Sequence, residues 1–352
     1  MPAHPPRRAG VSTRADVARL AETSPAVVSY VLNNGPRGVA AATRARVLAA
    51  VEELHYRPNT NARALTMARG YVLGIVVPDS ANPYFAALAH AVEQRSSERG
   101  YPLLIANAAE DDARAIDHLR AFADRQVEGV VMIPTSSGHA LLEEIRRFGR
   151  PLVFVDRSVR LRGSVSVSTD GAAAARLAVD HLLWHGHRRI VCLGGPAGWP
   201  SADRVRGYQA SMAGAGLTPI TPIHRPFDGT AAHAALDEVL ALKPTAVFAA
   251  SDQQAVGILR AAWDRGLRVP DDLAIASIDG SISARFTTPG LTTVDQHVES
   301  MGRLATDLLL STIDGEAVEP GHRATASHLI ARGSCGCDDT FIWPLPTDGT
   351  AA

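Results

Sequence analysis

Residues 22–33 read ETSPAVVSYVLN, a short stretch built largely from small and β-branched side chains. Ser24 is a favourable helix N-cap and Pro25 suits the first position of a helix, so we expect a helix to begin here. A helix that only filled a core would carry more leucine and fewer valines. We therefore expect its valines to pack inward, while the opposite face presents small residues together with Tyr30 and Asn33.

The flanking sequence extends this helix into a three-helix pattern. DVARLA (16–21) precedes it across a tight turn, and TRARVLAAVEEL (43–54) follows it before Pro58 breaks the periodicity. Two short helices joined by a tight turn are typical of a helix-turn-helix, whose second helix can enter the major groove of DNA. Its first backbone N–H groups can also bind phosphate. An ordinary pair of packed helices would give the same pattern.

Charge is distributed unevenly along the 352 residues, although the formal net charge is only −1. The segment up to Gly70 contains ten arginines, no lysine and four acids, a net charge of +6, which leaves −7 for the remainder. A basic head on an acidic body indicates that the head alone meets a polyanion. A merely solvated basic surface is the alternative.

From Tyr71 onward, short β-rich runs alternate with helical patterns. Two successive arrays of this kind predict an α/β fold with two doubly wound parallel sheets. Such sheets bind ligands at the carboxyl ends of their strands, and paired lobes bind them in the cleft between. The predicted strands are 71–77, 102–108, 129–134, 151–156, 189–195, 222–225, 246–251 and 273–279, followed by LTTVDQ (291–296) and a long closing helix.

Several residue clusters could suggest metal or catalytic chemistry, and each lacks a required part. His181 and His185 have the spacing of zinc ligands on one helix, but the number of ligands is too small. Cys335 and Cys337 have no second cysteine pair to complete a zinc site. The Gly-rich stretch 194–198 lacks the Lys-Ser/Thr of a phosphate loop. We therefore expect no metal, no cofactor and no enzymatic activity.

The composition also indicates a cellular compartment. The chain has three cysteines and no disulfide framework, which fits a reducing cytoplasm. Its first residues, MPAHPPRRAG, lack the apolar core of a signal peptide. No charge-free apolar run reaches the roughly 18 residues of a membrane span. We expect a cytoplasmic protein that does not span a membrane.

Eight motifs follow one another in a specific order and spacing: DVARLAETSPAVVSYVLN, TRARVLAAVEELHYRPNTNARAL, GIVVPDSANPYF, DHLLWHGHRRIVCLGG, DRVRGY, ASDQQAVGIL, GLRVPDDLAIASIDG and LTTVDQ. Together they closely resemble the lactose/galactose repressor family of bacterial transcription regulators. The resemblance covers about residues 12–335, nearly the whole chain. It implies a three-helix head and a hinge helix, followed by a two-lobed body similar in fold to periplasmic sugar-binding proteins.

The resemblance divides the chain into segments. The expected segments are a flexible lead (1–11), a helix-turn-helix domain (12–58), a hinge helix (59–70), an effector-binding and dimerisation domain (71–336) and a C-terminal tail (337–352). Within the body, the N-lobe would take about residues 71–168 and 298–330, and the C-lobe about residues 169–297.

The resemblance also implies which residues contact DNA. Pro25, Ala26 and Tyr30 match positions that read bases in the major groove. Leu65 matches a leucine of the hinge helix that inserts between base pairs. Apolar side chains inserted in this way bend the DNA, and the bent DNA makes more contacts with the protein. The matching residues are Thr13, Ser24 and Ser29 toward phosphate, Asn33 at the end of the helix, and Asn59, Ala62 and Leu65 in the hinge segment.

A second set of residues matches the positions around a small effector between the lobes. Several of them follow predicted strands, where a ligand site of this fold is expected. Trp199 adds an aromatic side chain on a loop beside the expected cleft. The set comprises Asp79, Tyr84, Phe85, Asp156, Trp199, Arg204, Phe227, Asp252, Asp279 and Gln296.

Structural roles remain open for some of this second set. Asp252 could cap the helix that follows it, because Asp is a preferred N-cap residue. Asp156 could instead pair with Arg157 or another neighbour. Tyr84 and Phe85 could belong to the core, as most aromatic side chains do.

Two of the departures from the family pattern would destabilise the head. Glu22 stands in the turn where glycine is usual, and a positive φ there would cost on the order of 1 kcal/mol. Ala40 stands where the third helix usually begins with Ser or Thr, which loses about 1 kcal/mol of capping.

These features together predict a DNA-binding transcription regulator, most plainly a repressor of a carbohydrate operon. Its partners would be double-stranded operator DNA, a sugar-like effector and a second copy of the chain. We expect a dimer rather than a tetramer, because the tail lacks the leucine heptads of a tetramer-forming coiled coil. The alternatives are a solute-binding protein of a transporter and an α/β enzyme that acts on a sugar.

Overall fold

The computed structural model describes residues 12–32, 38–56, 70–157, 161–196 and 201–337. It divides into two compact units, a head (Met1–Gly70) and a body (Tyr71–Ala352). The lead, most of the hinge segment and nearly all of the tail lie outside the described residues. So do five of the predicted site residues, namely Asn33, Asn59, Ala62, Leu65 and Trp199.

The described head consists of three helices, α1 (Arg14–Leu20), α2 (Pro25–Leu32) and α3 (Ala41–Glu53). Thr13 caps α1, because its hydroxyl accepts the Asp16 amide while the Asp16 carboxylate accepts the Thr13 amide. The three helices pack around a small apolar core that contains Val17, Val28, Val31 and Val47. The structure therefore confirms the helix-turn-helix prediction, with the valines of α2 directed inward.

Both departures from the family pattern have the predicted backbone consequence. Glu22 adopts a φ of 50°, a left-handed conformation that favours glycine. Ala40 occupies the N-cap position of α3 and supplies no side-chain hydrogen bond. The head thus contains two local sources of instability.

The body contains two six-stranded sheets, one for each lobe. The N-lobe sheet has the order β11-β5-β4-β3-β1-β2 and is parallel throughout. Its strands are β1 (Leu73–Val77), β2 (Leu103–Asn107), β3 (Gly129–Met132), β4 (Leu152–Val155), β5 (Val165–Thr169) and β11 (Gly321–Thr325).

The C-lobe sheet has the order β12-β10-β9-β8-β6-β7 and is parallel except at β12, which pairs antiparallel with β10. Its strands are β6 (Ile190–Gly194), β7 (Ile223–His224), β8 (Ala246–Ala249), β9 (Ala274–Asp279), β10 (Thr292–Asp295) and β12 (His328–Ile330). Because β12 belongs to this sheet, the N-lobe ends before His328, slightly earlier than the expected boundary near residue 330.

Helices cover both faces of each sheet, as the buried apolar strands require. The N-lobe helices are α4 (Pro83–Glu98), α5 (Asp112–Asp124), α6 (His139–Phe148) and α13 (Val298–Ile313). The C-lobe helices are α7 (Gly171–Trp184), α8 (Ser201–Gly214), α9 (Gly229–Ala234), α10 (Leu236–Ala241), α11 (Asp252–Asp264) and α12 (Ile282–Arg285), and a short 3-10 helix spans Gly333–Cys335. Among the described helices, none is long and apolar enough to cross a membrane.

Candidate functional site

A cavity of about 620 Å³ lies where the carboxyl ends of strands from both sheets face one another. This volume is within the usual range for a small-molecule site. Seven of the predicted effector residues border it: Asp79, Tyr84, Phe85, Asp156, Arg204, Phe227 and Asp279. We call this cavity the cleft.

Each lobe places an aspartate at the end of a strand in an unusual backbone conformation. Asp156 follows β4 with a φ of 62°, and Asp279 ends β9 with a φ of 141°. Such conformations cost on the order of 1–3 kcal/mol for a residue with a side chain and persist only where the surroundings enforce them. Their occurrence at both walls of one cavity marks these carboxylates as candidate functional groups.

The N-lobe wall combines a carboxylate, an arginine and two aromatic rings. The Tyr84 hydroxyl donates a hydrogen bond to Asp156 Oδ1 at 2.6 Å. Burial, and next the negative charge of Asp156, raises the pKa of Tyr84 well above its usual value, so the hydroxyl stays protonated as a donor. The Arg157 guanidinium lies 5.4 Å from the centre of the Phe85 ring and binds both carboxylate oxygens of Glu110.

The C-lobe wall repeats this combination. The guanidinium of Arg204 lies 5.6 Å from the centre of the Phe227 ring, donates to the Ala250 carbonyl, and approaches Asp279 Oδ1 at 3.4 Å. Burial raises the pKa of Asp279 well above its usual value, and the positive charge of Arg204 offsets part of this effect. Each wall therefore offers a carboxylate and an arginine beside an aromatic face.

Two predicted effector residues, Asp252 and Gln296, are buried and do not border the cleft. Gln296 Nε2 donates to Asp279 Oδ1 at 3.1 Å, and the Asp252 amide donates to Asp279 Oδ2 at 3.2 Å. These bonds hold the strained Asp279 in place.

The Asp252 side chain also has a structural role. Its carboxylate accepts the hydroxyls of Ser277 and Thr293 and the amide of Ser281. The N-cap of α11 is Ser251, not Asp252, because the Ser251 hydroxyl accepts the Gln254 amide. The possible capping role of Asp252 is therefore taken by its neighbour.

The structure also decides the alternative roles of Tyr84 and Phe85 as core residues and of Asp156 as the partner of Arg157. Tyr84 and Phe85 belong to the N-lobe core and border the cleft as well. Asp156 Oδ2 lies 3.7 Å from Arg157 Nε, which is a longer contact than its bond to Tyr84. Asp156 therefore has a tyrosine as its main partner and an arginine as a secondary one.

Sequence reasoning missed a further group of lining residues. Each of them lies within five residues after the end of a strand, so the strand ends were the available signal. Among them, the hydroxyls of Thr135 and Ser136 both donate to Asp112, which fixes the loop after β3. The missed residues are Asn82, Glu110, Thr135, Ser136, Ser137, Arg157, Pro196, Pro226, Asp228 and Ser251.

The candidate DNA-binding surface lies on α2 and at the start of α1. Ser24, Pro25 and Ala26 are exposed, whereas Ser29 and Tyr30 are half-buried. Ser24 acts as the N-cap of α2, since its hydroxyl accepts the Val27 amide at 3.3 Å. Thr13 is exposed at the N-cap of α1. Ser24, Pro25 and Ala26 lie at the N-terminus of α2, where phosphate can bind, and Ser29 and Tyr30 lie about one turn further along the helix.

Comparisons with known proteins cover both units. Residues 13–59 match the model of the bacterial regulatory proteins, lacI family, and residues 179–335 match a periplasmic binding protein-like domain. The ribose operon repressor of Escherichia coli (strain K12) is 32% identical over 332 residues, which cover 92% of this chain and all of that protein. The transcriptional repressor PurR of Photobacterium profundum is 31% identical over 309 residues, 86% of this chain and 92% of that protein.

Solved structures give the same result. The lac repressor dimer bound to operator and the anti-inducer ONPF matches with a TM-score of 0.82 at 26% identity, over 92% of this chain and 99% of that one. The complex of the transcriptional regulator CelR with cellobiose matches with a TM-score of 0.69 at 30% identity, over the same shares of the two chains. The chain therefore belongs to the lacI family of bacterial regulatory proteins, and it is a DNA-binding transcription regulator rather than an enzyme.

Proposed function

We propose that this regulator represses a carbohydrate-utilisation operon and that a sugar in the cleft controls its affinity for operator DNA. The observation that carries this proposal is the pair of matching cleft walls, each with a carboxylate and an arginine beside an aromatic ring. The helix-turn-helix head supplies the DNA-binding surface. The protein would act in the cytoplasm.

The cleft suits a neutral, hydroxyl-rich ligand. Its carboxylates, Asp79, Glu110, Asp156, Asp228 and Asp279, outnumber its two arginines, Arg157 and Arg204. Both arginines already contact carboxylates of the cleft, so an anionic ligand would meet net repulsion. Sugar hydroxyls can donate to the carboxylates and accept from the arginines. The apolar face of a sugar ring could pack on Phe85 and Phe227.

Two relatives agree with a sugar ligand through their names, the ribose operon repressor and the CelR–cellobiose complex. PurR is equally similar in sequence, so similarity alone does not select the ligand class. The charge balance of the cleft favours the sugar.

On DNA, we assign base contacts to Pro25, Ala26 and Tyr30, and phosphate contacts to Thr13, Ser24 and Ser29. Asn33, Asn59, Ala62 and Leu65 complete the proposed interface. A single three-helix head buries too little DNA for useful specificity, so the active species would be a homodimer on a pseudo-palindromic operator. The sugar would act by favouring one of two arrangements of the lobes, only one of which supports operator binding.

The test is fluorescence anisotropy with the purified protein and DNA from upstream of its own gene, at two salt concentrations, with sugars added in turn. We expect tight, sequence-selective binding that one sugar releases. Only weak, strongly salt-dependent binding to any DNA would contradict specific recognition. A sugar that binds the protein but leaves operator affinity unchanged would contradict the allosteric part.

Pairs of matched variants test whether the cleft binds the sugar and whether the head binds the operator. Arg204→Met should weaken sugar binding by about 10–100-fold, because the site loses a charged donor. Arg206→Met is the control, since Arg206 lies on the same helix but is exposed and pairs with Asp203. On DNA, Tyr30→Ala should weaken operator binding, whereas Ala49→Ser, an exposed position of α3, should leave it nearly unchanged.

A further inference from the structure

A second cluster of polar side chains lies in the C-lobe, where the end of α7 meets the last described residues of the chain. It contains His181 and His185 from the end of α7, and Cys335 and Cys337 from the segment that begins with the 3-10 helix. One nitrogen or sulfur atom from each residue lies within 4.8 Å of all the others. None of the four borders the cleft.

The nitrogen and sulfur atoms are closely spaced. His181 Nε2 lies 3.1 Å from Cys335 Sγ and 3.7 Å from Cys337 Sγ, and His185 Nε2 lies 3.2 Å from Cys337 Sγ. A tetrahedral zinc ion with Zn–S near 2.3 Å and Zn–N near 2.0–2.1 Å separates a sulfur and a nitrogen ligand by about 3.5 Å. The observed separations bracket this value. Neither cysteine is in a disulfide bond.

Two backbone features bring these four residues together. His181 and His185 are four residues apart, so their imidazoles project from one side of the helix end, with ring centres 4.7 Å apart. Between the cysteines, Gly336 has a φ of 97°, which residues with a side chain rarely adopt. This glycine turns the chain so that both thiols face the imidazoles.

We propose that His181, His185, Cys335 and Cys337 form a structural zinc site. Two thiolates and two imidazoles are a preferred zinc ligand set, and four protein ligands leave no open position for catalysis. The ion would fix the segment that contains Cys335 and Cys337 to the C-terminal end of α7. In the sequence, the two histidines and the two cysteines form two incomplete sets of ligands, whereas the fold brings them together across about 150 residues.

Zinc binding would displace protons from the thiols. Cys335 Sγ lies 3.1 Å from the Arg332 carbonyl oxygen, a hydrogen bond that only the protonated thiol can donate. Zn²⁺ would replace the proton on each of the two thiols and release two protons to solvent. The Thr292 hydroxyl, 3.0 Å from Cys335 Sγ, could then donate to the thiolate.

The test uses the full chain without a polyhistidine tag, purified under reducing conditions and without a chelator. Zinc is measured by inductively coupled plasma mass spectrometry, and affinity by competition with a chromophoric chelator. We expect one zinc per chain, and cobalt(II) in its place should give the visible spectrum of a tetrahedral thiolate complex. Cys337→Ser and His185→Gln should each weaken zinc binding by at least about tenfold.

The control variant is His187→Gln, because His187 lies near α7 but contacts the Thr245 hydroxyl instead of the cluster. It should bind zinc like the unmodified chain. Operator binding and the unfolding temperature at saturating zinc report whether each variant is folded. The proposal is overturned if the reduced, folded protein does not bind zinc, or if Cys337→Ser and His185→Gln bind it as tightly as the control. A Cys335–Cys337 disulfide in the reduced preparation would also overturn it.

Discussion

Glu22 shows how one residue can limit the stability of the head. Its φ of 50° is costly for any residue with a side chain, by roughly 1 kcal/mol, and glycine would remove this cost. We expect Glu22→Gly to stabilise the head by up to about 1 kcal/mol. Hydrogen exchange of the Val28 and Val47 amides in the full chain measures this local stability.

The control for this substitution is Glu52→Gly, which places the same residue change inside α3. There the backbone is helical, so glycine should destabilise the head by about 1 kcal/mol. If both substitutions had the same sign, the positive φ of Glu22 would not be the cause.

The raised pKa of Asp279 predicts how the stability of the body depends on pH. Because its pKa in the folded chain is raised, the folded chain binds this proton more tightly than the unfolded chain does. The contribution of Asp279 to stability is therefore present at low pH and is lost as pH rises through the folded-state pKa. We expect the free energy of unfolding of the native chain, relative to Asp279→Asn, to increase as pH falls from neutrality toward about 4, the ordinary pKa of an aspartate.

Urea unfolding of both proteins across this range measures the difference. Comparison with Asp279→Asn removes the titration of all other groups that the two proteins share. A difference that decreases on acidification would mean that Arg204, rather than burial, controls this carboxyl group.

At the scale of elements, the packing of α7 on α8 depends on one glycine. A Cβ at Gly207 would lie 2.7 Å from Ala175 Cβ and even closer to the Ala172 carbonyl oxygen, so the two helices approach at this point. We expect Gly207→Ala to destabilise the body by about 1–3 kcal/mol through overpacking. Gly214, in the last turn of α8, has no atom within 4 Å of such a Cβ.

Gly214→Ala is therefore the matched control, and it should stabilise α8 by up to about 1 kcal/mol through helix propensity. Chemical denaturation followed by circular dichroism measures both variants. Equal effects of the two substitutions would show that helix propensity, not close packing, determines the result.

The elements that sequence could predict are those with a strong apolar pattern. β1, β3 and β8 are fully buried apolar runs, and the sequence predicts each of them to within two residues of its ends. β5 was missed because serines alternate with its valines, although both serines are buried. β11 was missed because it is a largely exposed edge strand.

Functional residues, like strands, could be predicted where a strong apolar pattern marks their position. Those at the end of an apolar strand, such as Asp156 and Asp279, could be placed at the cleft from sequence and family resemblance. Asp252 lies three residues after β8, but its carboxylate accepts hydrogen bonds from Ser277 and Thr293, which only the fold reveals. The His/Cys cluster was equally hidden, because its members come from distant segments.

At the scale of the whole molecule, the proposed function requires that sugar binding in the body changes the operator affinity of the head. This coupling can be measured. If sugar binding lowers operator affinity by some factor, operator binding must lower sugar affinity by the same factor, because both describe one thermodynamic cycle. Couplings of this kind are typically about 5–150-fold. We expect isothermal titration with the sugar, with and without saturating operator, to give the factor that anisotropy gives for the operator.

Tyr30→Ala provides the internal control for this cycle. Its body is unchanged, so it should bind the sugar normally, but an operator concentration that saturates the native protein should affect that binding much less. If the sugar released native protein from operator while operator left sugar affinity unchanged, the cycle would not close. The release would then require a step outside the equilibrium between this protein, its operator and its sugar, and the cleft would not be the site of control.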